Sequence, residues 1–239
     1  MIGRVLWLTA IILAALATTA VQLDRQSRFS PALSPAVPEP FRGFAQTGLA
    51  GAALLGNDKA GAVAEAEKLV SRRPYPAENL RFLAAAQFKA GDVESGTRTI
   101  QIAAKRGWRD TLAQESVLRL ALAVDDIPEA TRRYAALFLR TGTEETLLLE
   151  MGPQLFGEAN GPGRQTFAEI VSGGERWLGT FLNRGPRVLP PDAFVEIVQD
   201  SSAKGAQFDC EGIKRATPIL AKRDAGAAQA LTANFAKKC

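Results

Sequence analysis

Three short turn sequences recur at equal intervals in this 239-residue chain, and they constrain its fold more than any other feature. They are Asn57-Asp58, Gly91-Asp92 and Asp125-Asp126. Each pair lies between two segments whose apolar residues recur with helical spacing, and residues of these types tolerate turn conformations. Each turn therefore predicts two antiparallel helices joined by a short loop.

The residues around these turns repeat with the same period. Apolar residues share one phase before each turn, and small residues share one phase after it: Leu49, Leu83, Val117 and Ala62, Gly96, Ala130. Small side chains let two helices approach closely, and larger apolar side chains fill the space between helix pairs. Three successive helix pairs are therefore expected over residues 43–144, and an irregular helical bundle with coincidental spacing is the alternative.

This pattern resembles the tetratricopeptide repeat, a helix-turn-helix unit with a 34-residue period. The resemblance extends over three units, residues 43–76, 77–110 and 111–144. Its matches include Ala62, Pro74, Gly91, Asp92, Ala103, Asp126, Ala130 and Tyr134. The early Trp and Tyr of the family are absent from the first helices, and Gly96 replaces the usual Ala. The resemblance implies an all-α, right-handed helical-repeat solenoid, which residues 145–239 complete as a degenerate repeat and a helical C-terminal cap.

The resemblance also implies where a partner binds. In the tetratricopeptide family, the first helices of successive repeats line a concave groove that holds the partner. Carried over by phase, the groove positions in this chain are Arg81, Phe88, Lys89, Glu115, Arg119 and Leu122. Three basic residues around one aromatic ring suit a peptide or polymer with carboxylates, because guanidinium groups pair well with carboxylates. The alternative is a solvated face that binds nothing.

The composition favours helices and excludes several functions. Ala is abundant, whereas runs of β-branched residues and hairpin turns are few. The net charge of +4 is spread along the chain without a basic block, so nucleic acid is not an expected partner. The chain has no histidine, which removes the commonest general base and metal ligand. We therefore expect no catalytic residue, no metal site and no cofactor.

An apolar segment stands at the N-terminus. Residues 5–21 carry no charge and follow Arg4. This run is near the short limit for a helix that spans a bilayer, and it is long for the apolar part of a signal peptide. We expect residues 1–23 to be an uncleaved single-pass anchor in the inner membrane, with the body in the periplasm because the positive end stays inside. The alternative is cleavage after Ala20, which would release a periplasmic protein.

Prolines dominate the segment that follows. Residues 30–40 read SPALSPAVPEP and contain four prolines. Proline lacks the backbone N–H that a helix interior requires, and proline-rich segments are extended and stiff. We therefore expect residues 24–42 to be an extended linker that holds the helical body away from the membrane.

The chain contains two cysteines, Cys210 and Cys239. The compartment outside the inner membrane is oxidising, so a disulfide between them is expected. It would close a loop of about 30 residues and contribute roughly 3 to 4 kcal/mol to the free energy of unfolding. The alternative is one buried thiol and one thiol at a frayed terminus.

Together these features predict a non-enzymatic scaffold of a bacterial-type cell envelope, which binds a protein partner in an assembly such as polysaccharide or protein export. The alternatives are a direct binder of an envelope polymer, polysaccharide or peptidoglycan, and a carbohydrate-processing enzyme. An apolar groove floor would favour a peptide partner, and facing carboxylates in a deep cleft would favour an enzyme. A shallow basic groove with exposed rings, such as those of Trp108 or Trp177, would favour a polymer.

Overall fold

The computed structural model of the protein describes residues 2–236, and those residues contain helices and no strands. Its α-helices are α1 Ile2–Ser27, α2 Ala45–Leu55, α3 Lys59–Arg72, α4 Ala77–Ala90, α5 Val93–Arg106, α6 Thr111–Ala123, α7 Ile127–Phe138, α8 Glu145–Phe156, α9 Pro162–Ser172, α10 Leu178–Val188, α11 Pro191–Ala203, α12 Cys210–Ala221 and α13 Ala225–Phe235. Short 3₁₀ helices occupy Pro31–Ala36, Glu39–Phe41 and Glu175–Trp177. The prediction of an all-α fold that begins with an apolar helix is confirmed.

The chain divides into two compact units at Gly107 and Trp108. Unit 1 contains α1 to α5, and unit 2 contains α6 to α13. Within unit 1, α2 packs on α3 and α4 packs on α5; within unit 2, α6 packs on α7. The boundary therefore falls between the second and third helix pairs that the sequence predicts.

The turn residues begin the second helix of each pair. Helices α3, α5 and α7 start at intervals of one repeat period, and each is preceded by an aspartate: Asp58, Asp92 and Asp126. The carboxylates of these aspartates accept hydrogen bonds of 2.9, 3.0 and 3.1 Å from the backbone N–H three residues further on. Such N-caps satisfy a donor that the first helical turn leaves unpaired. Each of the three turns therefore supplies the N-cap of the helix that follows it. The equal spacing of the aspartates thus gives the equal spacing of the helix starts.

The turns before two of these caps have the same backbone conformation. Gly91 ends α4 in the left-handed region with φ of 91°. Asp125, which stands one repeat period later in the chain, is also left-handed with φ of 57°. Glycine adopts this region without strain, and aspartate is one of the few other residues that tolerate it. The second and third turns are therefore equivalent in structure as well as in sequence.

Helix α1 is long and apolar enough to cross a membrane, and its last turn is attached to the body of unit 1. The Asp24 side chain, in that last turn, is buried and accepts three backbone hydrogen bonds, from Gly43 at 2.9 Å, Phe44 at 3.0 Å and Ala45 at 2.8 Å. These N–H groups lead into the first turn of α2, so Asp24 caps that helix. The helix also extends four residues beyond the predicted end of the anchor, to Ser27.

The proline-rich segment is folded, which corrects the expectation of an extended spacer over residues 24–42. It forms the 3₁₀ helices Pro31–Ala36 and Glu39–Phe41, and the first of these packs on α1 and α2. Ser34 is buried against Gly48, where a Cβ would lie 2.3 Å from the Ser34 Oγ. The φ of proline is compatible with a 3₁₀ turn. A proline at the start of a helix removes no hydrogen bond, because the N–H groups of the first turn have no partner within the helix. Composition alone therefore did not reveal that this segment joins the core of unit 1.

The two units have different cores. Alanines dominate the buried positions of unit 1, including Ala50, Ala62, Ala66, Ala84 and Ala86. The core of unit 2 is an aromatic cluster of Tyr134, Phe138, Phe156, Phe167 and Phe181, with ring centroids 5.2 to 6.3 Å apart for the pairs in contact. Aromatic pairs contribute about 0.5–1.5 kcal/mol beyond the area they bury. Unit 2 is therefore the better stabilised of the two per buried side chain.

An ionic cluster around one buried arginine connects α9 to α11 in unit 2. The Arg164 side chain is 2% exposed and donates to Asp192 and Glu196 at 2.5 Å each and to the carbonyl oxygen of Phe156 at 2.8 Å. A buried guanidinium is costly unless all its donors are satisfied, and loss of one partner of such a pair costs several kcal/mol. Arg164 is therefore a structural residue.

Candidate partner-binding groove

A groove of about 410 Å³ lies between α6 and α8 in unit 2. The first turns of the two helices form its walls through Thr111, Leu112, Glu115, Thr146, Leu147 and Glu150. The buried side chain of Leu137 contributes to an apolar floor, together with the half-buried Leu147. Leu112 is 54% exposed at the rim, which is unusual for a leucine and leaves apolar surface available for contact.

One arginine joins the two walls of this groove. Arg119 donates to Glu115 at 2.9 Å along α6 and to Glu150 at 3.3 Å on α8. The hydrogen bond to Glu115 is the main cause that raises the pKa of Arg119, and the bond to Glu150 adds to it. With Glu144 at the rim, the groove combines three carboxylates with one guanidinium. Its net charge is therefore negative, whereas the sequence pattern predicted a basic lining.

The second-repeat residues of the predicted groove make contacts inside unit 1. The Lys89 ammonium donates to the carbonyl oxygens of Leu54 and Gly56, so it caps the C-terminal end of α2. Phe88 packs on α5, where its ring atoms lie 2.8 Å from the position of a Cβ on Gly96. This contact explains why glycine replaces the usual alanine of the repeat at position 96. Phe88 and Lys89 thus serve the packing of helices on either side of α4.

The remaining two predicted residues also contact neighbours in their own unit. The Arg81 guanidinium lies 5.3 Å from the centre of the Phe82 ring. Leu122 is partly buried against the core of unit 2. Of the six predicted positions, Glu115 lines the groove between α6 and α8, and Arg119 pairs with two of its lining residues, Glu115 and Glu150.

Sequence reasoning missed the residues that α8 contributes to the groove. The signal was present, because α6 begins at Thr111 and α8 begins one repeat period later, at Glu145. The resemblance predicted a degenerate repeat and a helical cap over residues 145–239, but it assigned no groove residue to this region. An extension of the period by one unit would have indicated α8 as a further groove helix.

Unit 1 contains a groove in the equivalent position. It has a volume of about 880 Å³ and lies between α2, α4 and the first 3₁₀ helix. Phe44 in this groove and Leu112 in the other are separated by two full repeat periods of the sequence. One groove therefore lies beside α2 and α4 and the other beside α6 and α8, at corresponding positions in the sequence.

Other basic side chains cap the ends of helices. Arg184 donates to the carbonyl oxygens of Phe138, Arg140 and Thr143 at 2.7, 2.8 and 2.5 Å, at the end of α7. Burial is the main cause that lowers the pKa of Arg184. Cations at the C-terminal ends of helices satisfy free carbonyls and oppose the negative end of the helix dipole. Part of the positive charge of the chain therefore serves the fold and is not available to a ligand.

The predicted disulfide involves one residue outside the described part of the chain. Cys210 is the first residue of α12 and is half-buried. Cys239 lies beyond residue 236, so the pairing of Cys210 with Cys239 stays a prediction.

No protein-family model matches the chain, and a search of curated proteins finds no relative. The function of the chain is therefore inferred from its own residues and contacts.

Proposed function

We propose that this protein is a single-pass membrane adaptor of a bacterial-type cell envelope, which uses a helical-repeat groove to bind a segment of a partner protein. Its helix pairs stack as a right-handed, tetratricopeptide-like solenoid, and residues 145–239 form a degenerate repeat and a helical cap. The body lies in the periplasm and serves an assembly such as one that exports polysaccharide or protein. The protein is not an enzyme and needs no cofactor.

The groove between α6 and α8 is the observation that carries this proposal. Its floor is apolar at Leu137 and Leu147, and its rim holds Glu115, Glu144 and Glu150. Peptide segments are recognised by grooves of this kind, in which apolar anchors supply the affinity and charged rims supply the orientation. The carboxylates match a segment with an apolar side chain beside lysine or arginine. We therefore propose a basic partner segment. The sequence pattern, by contrast, favoured a partner that carries carboxylates.

The same groove does not favour an enzyme. Glu115 and Glu150 both accept hydrogen bonds from Arg119, so the guanidinium lies between the two carboxylates. Glycosidases need two carboxyl groups that face each other across the substrate, with the space between them free for the sugar. Two carboxylates joined by a guanidinium are instead typical of a structural or binding surface.

The aromatic rings that could bind a sugar polymer lie elsewhere in unit 2. Trp108 is 48% exposed and its ring contacts Arg109 at 4.9 Å, but it does not line the groove. Trp177 lines a small apolar pocket with Phe138 and Phe181. Sugar-binding sites place exposed rings where the polymer lies, so the groove supports a peptide better than a polysaccharide.

The contacts of α1 support an uncleaved anchor. Ala20, after which cleavage was the alternative, is 8% exposed within the continuous helix Ile2–Ser27. It lies about one helical turn before Asp24, whose carboxylate caps α2. A cut after Ala20 would therefore remove the membrane helix just before the turn that fastens it to the body. Retention of the whole helix keeps the body at the membrane surface.

The proposal can be tested by affinity purification of the full-length protein from its native membranes in a mild detergent. We would compare the wild type with the double variant Glu115→Lys, Glu150→Lys, and with Glu158→Lys, Glu211→Lys as a control of equal charge at exposed sites away from the groove. Quantitative mass spectrometry should show one or more proteins depleted in the groove variant and retained by the control. Partners that both variants retain equally would show that the groove is not the binding surface.

A further inference from the structure

The groove of unit 1 differs from its equivalent in unit 2 in its chemistry. Arg28 from the end of α1 and Arg73 from the end of α3 both lie over the ring of Phe44, at 5.6 and 4.3 Å from its centre. Among the side-chain contacts of residues 2–236, neither guanidinium has a hydrogen bond or an ion pair with a carboxylate. Glu78 is the one acidic side chain among the residues that line this groove. Two positive charges therefore lie within about 6 Å of the centre of one aromatic ring, which does not neutralise them.

Most of the remaining groove wall is apolar, with Ser27, Ser34, Thr47 and Asn79 as its uncharged polar residues. Leu49 and Leu55 from α2 and Phe82 from α4 line it, together with prolines of the first 3₁₀ helix. Leu55 is exposed to solvent at the groove edge. A ligand that fits this groove therefore combines a negatively charged group, at the two arginines, with an apolar body. Guanidinium groups bind phosphate oxygens well, because their donors match the phosphate in a planar fork.

The position of the groove identifies the source of such a ligand. Arg28 stands seven residues after Val21, the residue before the polar Gln22, which is about 10 Å along a helix that rises about 1.5 Å per residue. Phospholipid headgroups form a layer of about 5 to 8 Å on each side of the hydrocarbon core, and long arginine side chains reach back toward it. The exposed ring of Phe29, next to Arg28, offers apolar surface that can insert into the boundary between headgroups and acyl chains. Arg28 therefore lies at the depth of lipid phosphates when α1 spans the membrane.

We propose that this groove binds an anionic phospholipid of the membrane that α1 enters. The lipid phosphate lies between Arg28 and Arg73 beside Phe44, and its glycerol and acyl carbons lie along Leu49 and Phe82. Bound lipid would hold the body of unit 1 at a fixed height and orientation on the membrane surface. This site is separate from the protein-binding groove of unit 2, and it does not depend on what that groove binds.

The test uses the full-length protein in an uncharged detergent and phosphatidylglycerol with a fluorescent label on one acyl chain. Fluorescence polarisation should show saturable binding, which the double variant Arg28→Gln, Arg73→Gln weakens at least about tenfold. The matched control Arg25→Gln, Arg106→Gln removes the same charge from exposed positions outside the groove, one of them also near the membrane, and should change the affinity less than about twofold. Equal losses in the two double variants would overturn the proposal, because they would indicate general charge attraction.

A second variant fills the groove and leaves its charges in place. Ala52 is exposed and lines the groove, so Ala52→Trp should block the lipid with little effect on folding. We expect it to weaken phosphatidylglycerol binding by at least about tenfold, while the circular dichroism melting curve stays near that of the wild type. Unchanged lipid affinity in this variant would contradict binding inside the groove. Displacement of the lipid by millimolar inorganic phosphate or by a hexaglutamate peptide, but not by unlabelled phosphatidylglycerol, would contradict a lipid as the ligand.

Discussion

The carboxylate of Asp24 accepts a hydrogen bond of 2.8 Å from the backbone N–H of Ala45, so the last turn of the apolar N-terminal helix α1 caps α2. Two further bonds, from Gly43 and Phe44, complete the contact. The folded proline-rich segment lies between these two helices in the sequence. These bonds fix the end of α1 to the rest of unit 1.

This contact predicts that Asp24 is required for the stability of unit 1. Asp24→Ala should lower the free energy of unfolding by about 2 kcal/mol, because three backbone donors at the start of α2 lose their acceptor. Chemical denaturation followed by circular dichroism in detergent measures this loss. Glu94→Gln, at an exposed position on α5, serves as the control and should be close to neutral. An Asp24→Ala protein that unfolds at the wild-type denaturant concentration would contradict the role of the cap.

Lys89 should act on stability and not on partner binding. Lys89→Met removes the hydrogen bonds to the carbonyl oxygens of Leu54 and Gly56, and we expect a loss of about 1 kcal/mol in the free energy of unfolding. The partners recovered by affinity purification should be the same as for the wild type. Lys105→Met, on the exposed face of α5, is the matched control. If Lys89→Met loses partners but keeps its free energy of unfolding, Lys89 belongs to the binding surface after all.

Glu129 should make stability depend on pH in the acid range. Burial raises the pKa of Glu129, but hydrogen bonds from Arg132 and Arg133 outweigh it, so the net pKa is below the ordinary value of 4.5. Because the pKa is lowered in the folded state, the stabilisation is present above about pH 4.5 and is lost as the pH falls through the folded pKa. Glu129→Gln should therefore cost about 1 kcal/mol at pH 7, and this difference should shrink below pH 4.5.

The pH dependence is measured by urea unfolding at a series of pH values for the wild type and Glu129→Gln. The exposed Glu175→Gln is the control, and its difference from the wild type should be small at all pH values. The free energies of unfolding of the wild type and Glu129→Gln could differ by the same amount from pH 7 to pH 3. That result would show that the ion pairs with Arg132 and Arg133 do not stabilise the fold.

Two glycines should respond in opposite ways to alanine. A Cβ on Gly163 would lie 2.0 Å from the carbonyl oxygen of Leu155, so Gly163→Ala should cost about 2–3 kcal/mol through backbone displacement at the start of α9. A Cβ on Gly179 meets nothing within 4 Å, so Gly179→Ala in α10 should be neutral or stabilising by up to about 1 kcal/mol. Differential scanning calorimetry measures both. Equal melting temperatures for the two variants would contradict the close packing of α9 on α8.

The sequence predicted those features that depend on local chemistry. The turns at Asp58, Asp92 and Asp126 follow from N-cap preferences, and the apolar N-terminal helix follows from its composition. Glu115, one of the predicted groove positions, lines the groove between α6 and α8, and its role in binding stays a prediction. The position of a residue within the repeat period indicates the face of the helix on which the residue lies. It does not indicate which contacts the residue makes there.

The features that the sequence did not predict depend on tertiary contacts. Lys89 reaches back to the end of a preceding helix, and Ser34 packs on Gly48. Arg119 meets Glu150 from a helix that the three-unit alignment left out. Each of these contacts joins residues distant in the chain, so neither composition nor a local motif contains them.

Binding of a partner protein in the groove between α6 and α8 is the central claim. It is tested most directly by a photocrosslinking amino acid, p-benzoylphenylalanine, at Leu112 of the full-length protein in intact cells. Leu149 is the control, since it is exposed on α8 but does not line the groove. We predict a light-dependent crosslink to a protein from Leu112, absent from Leu149 and lost when Glu115→Lys, Glu150→Lys is combined with it. No crosslink from Leu112, or equal crosslinks from both positions, would contradict the claim.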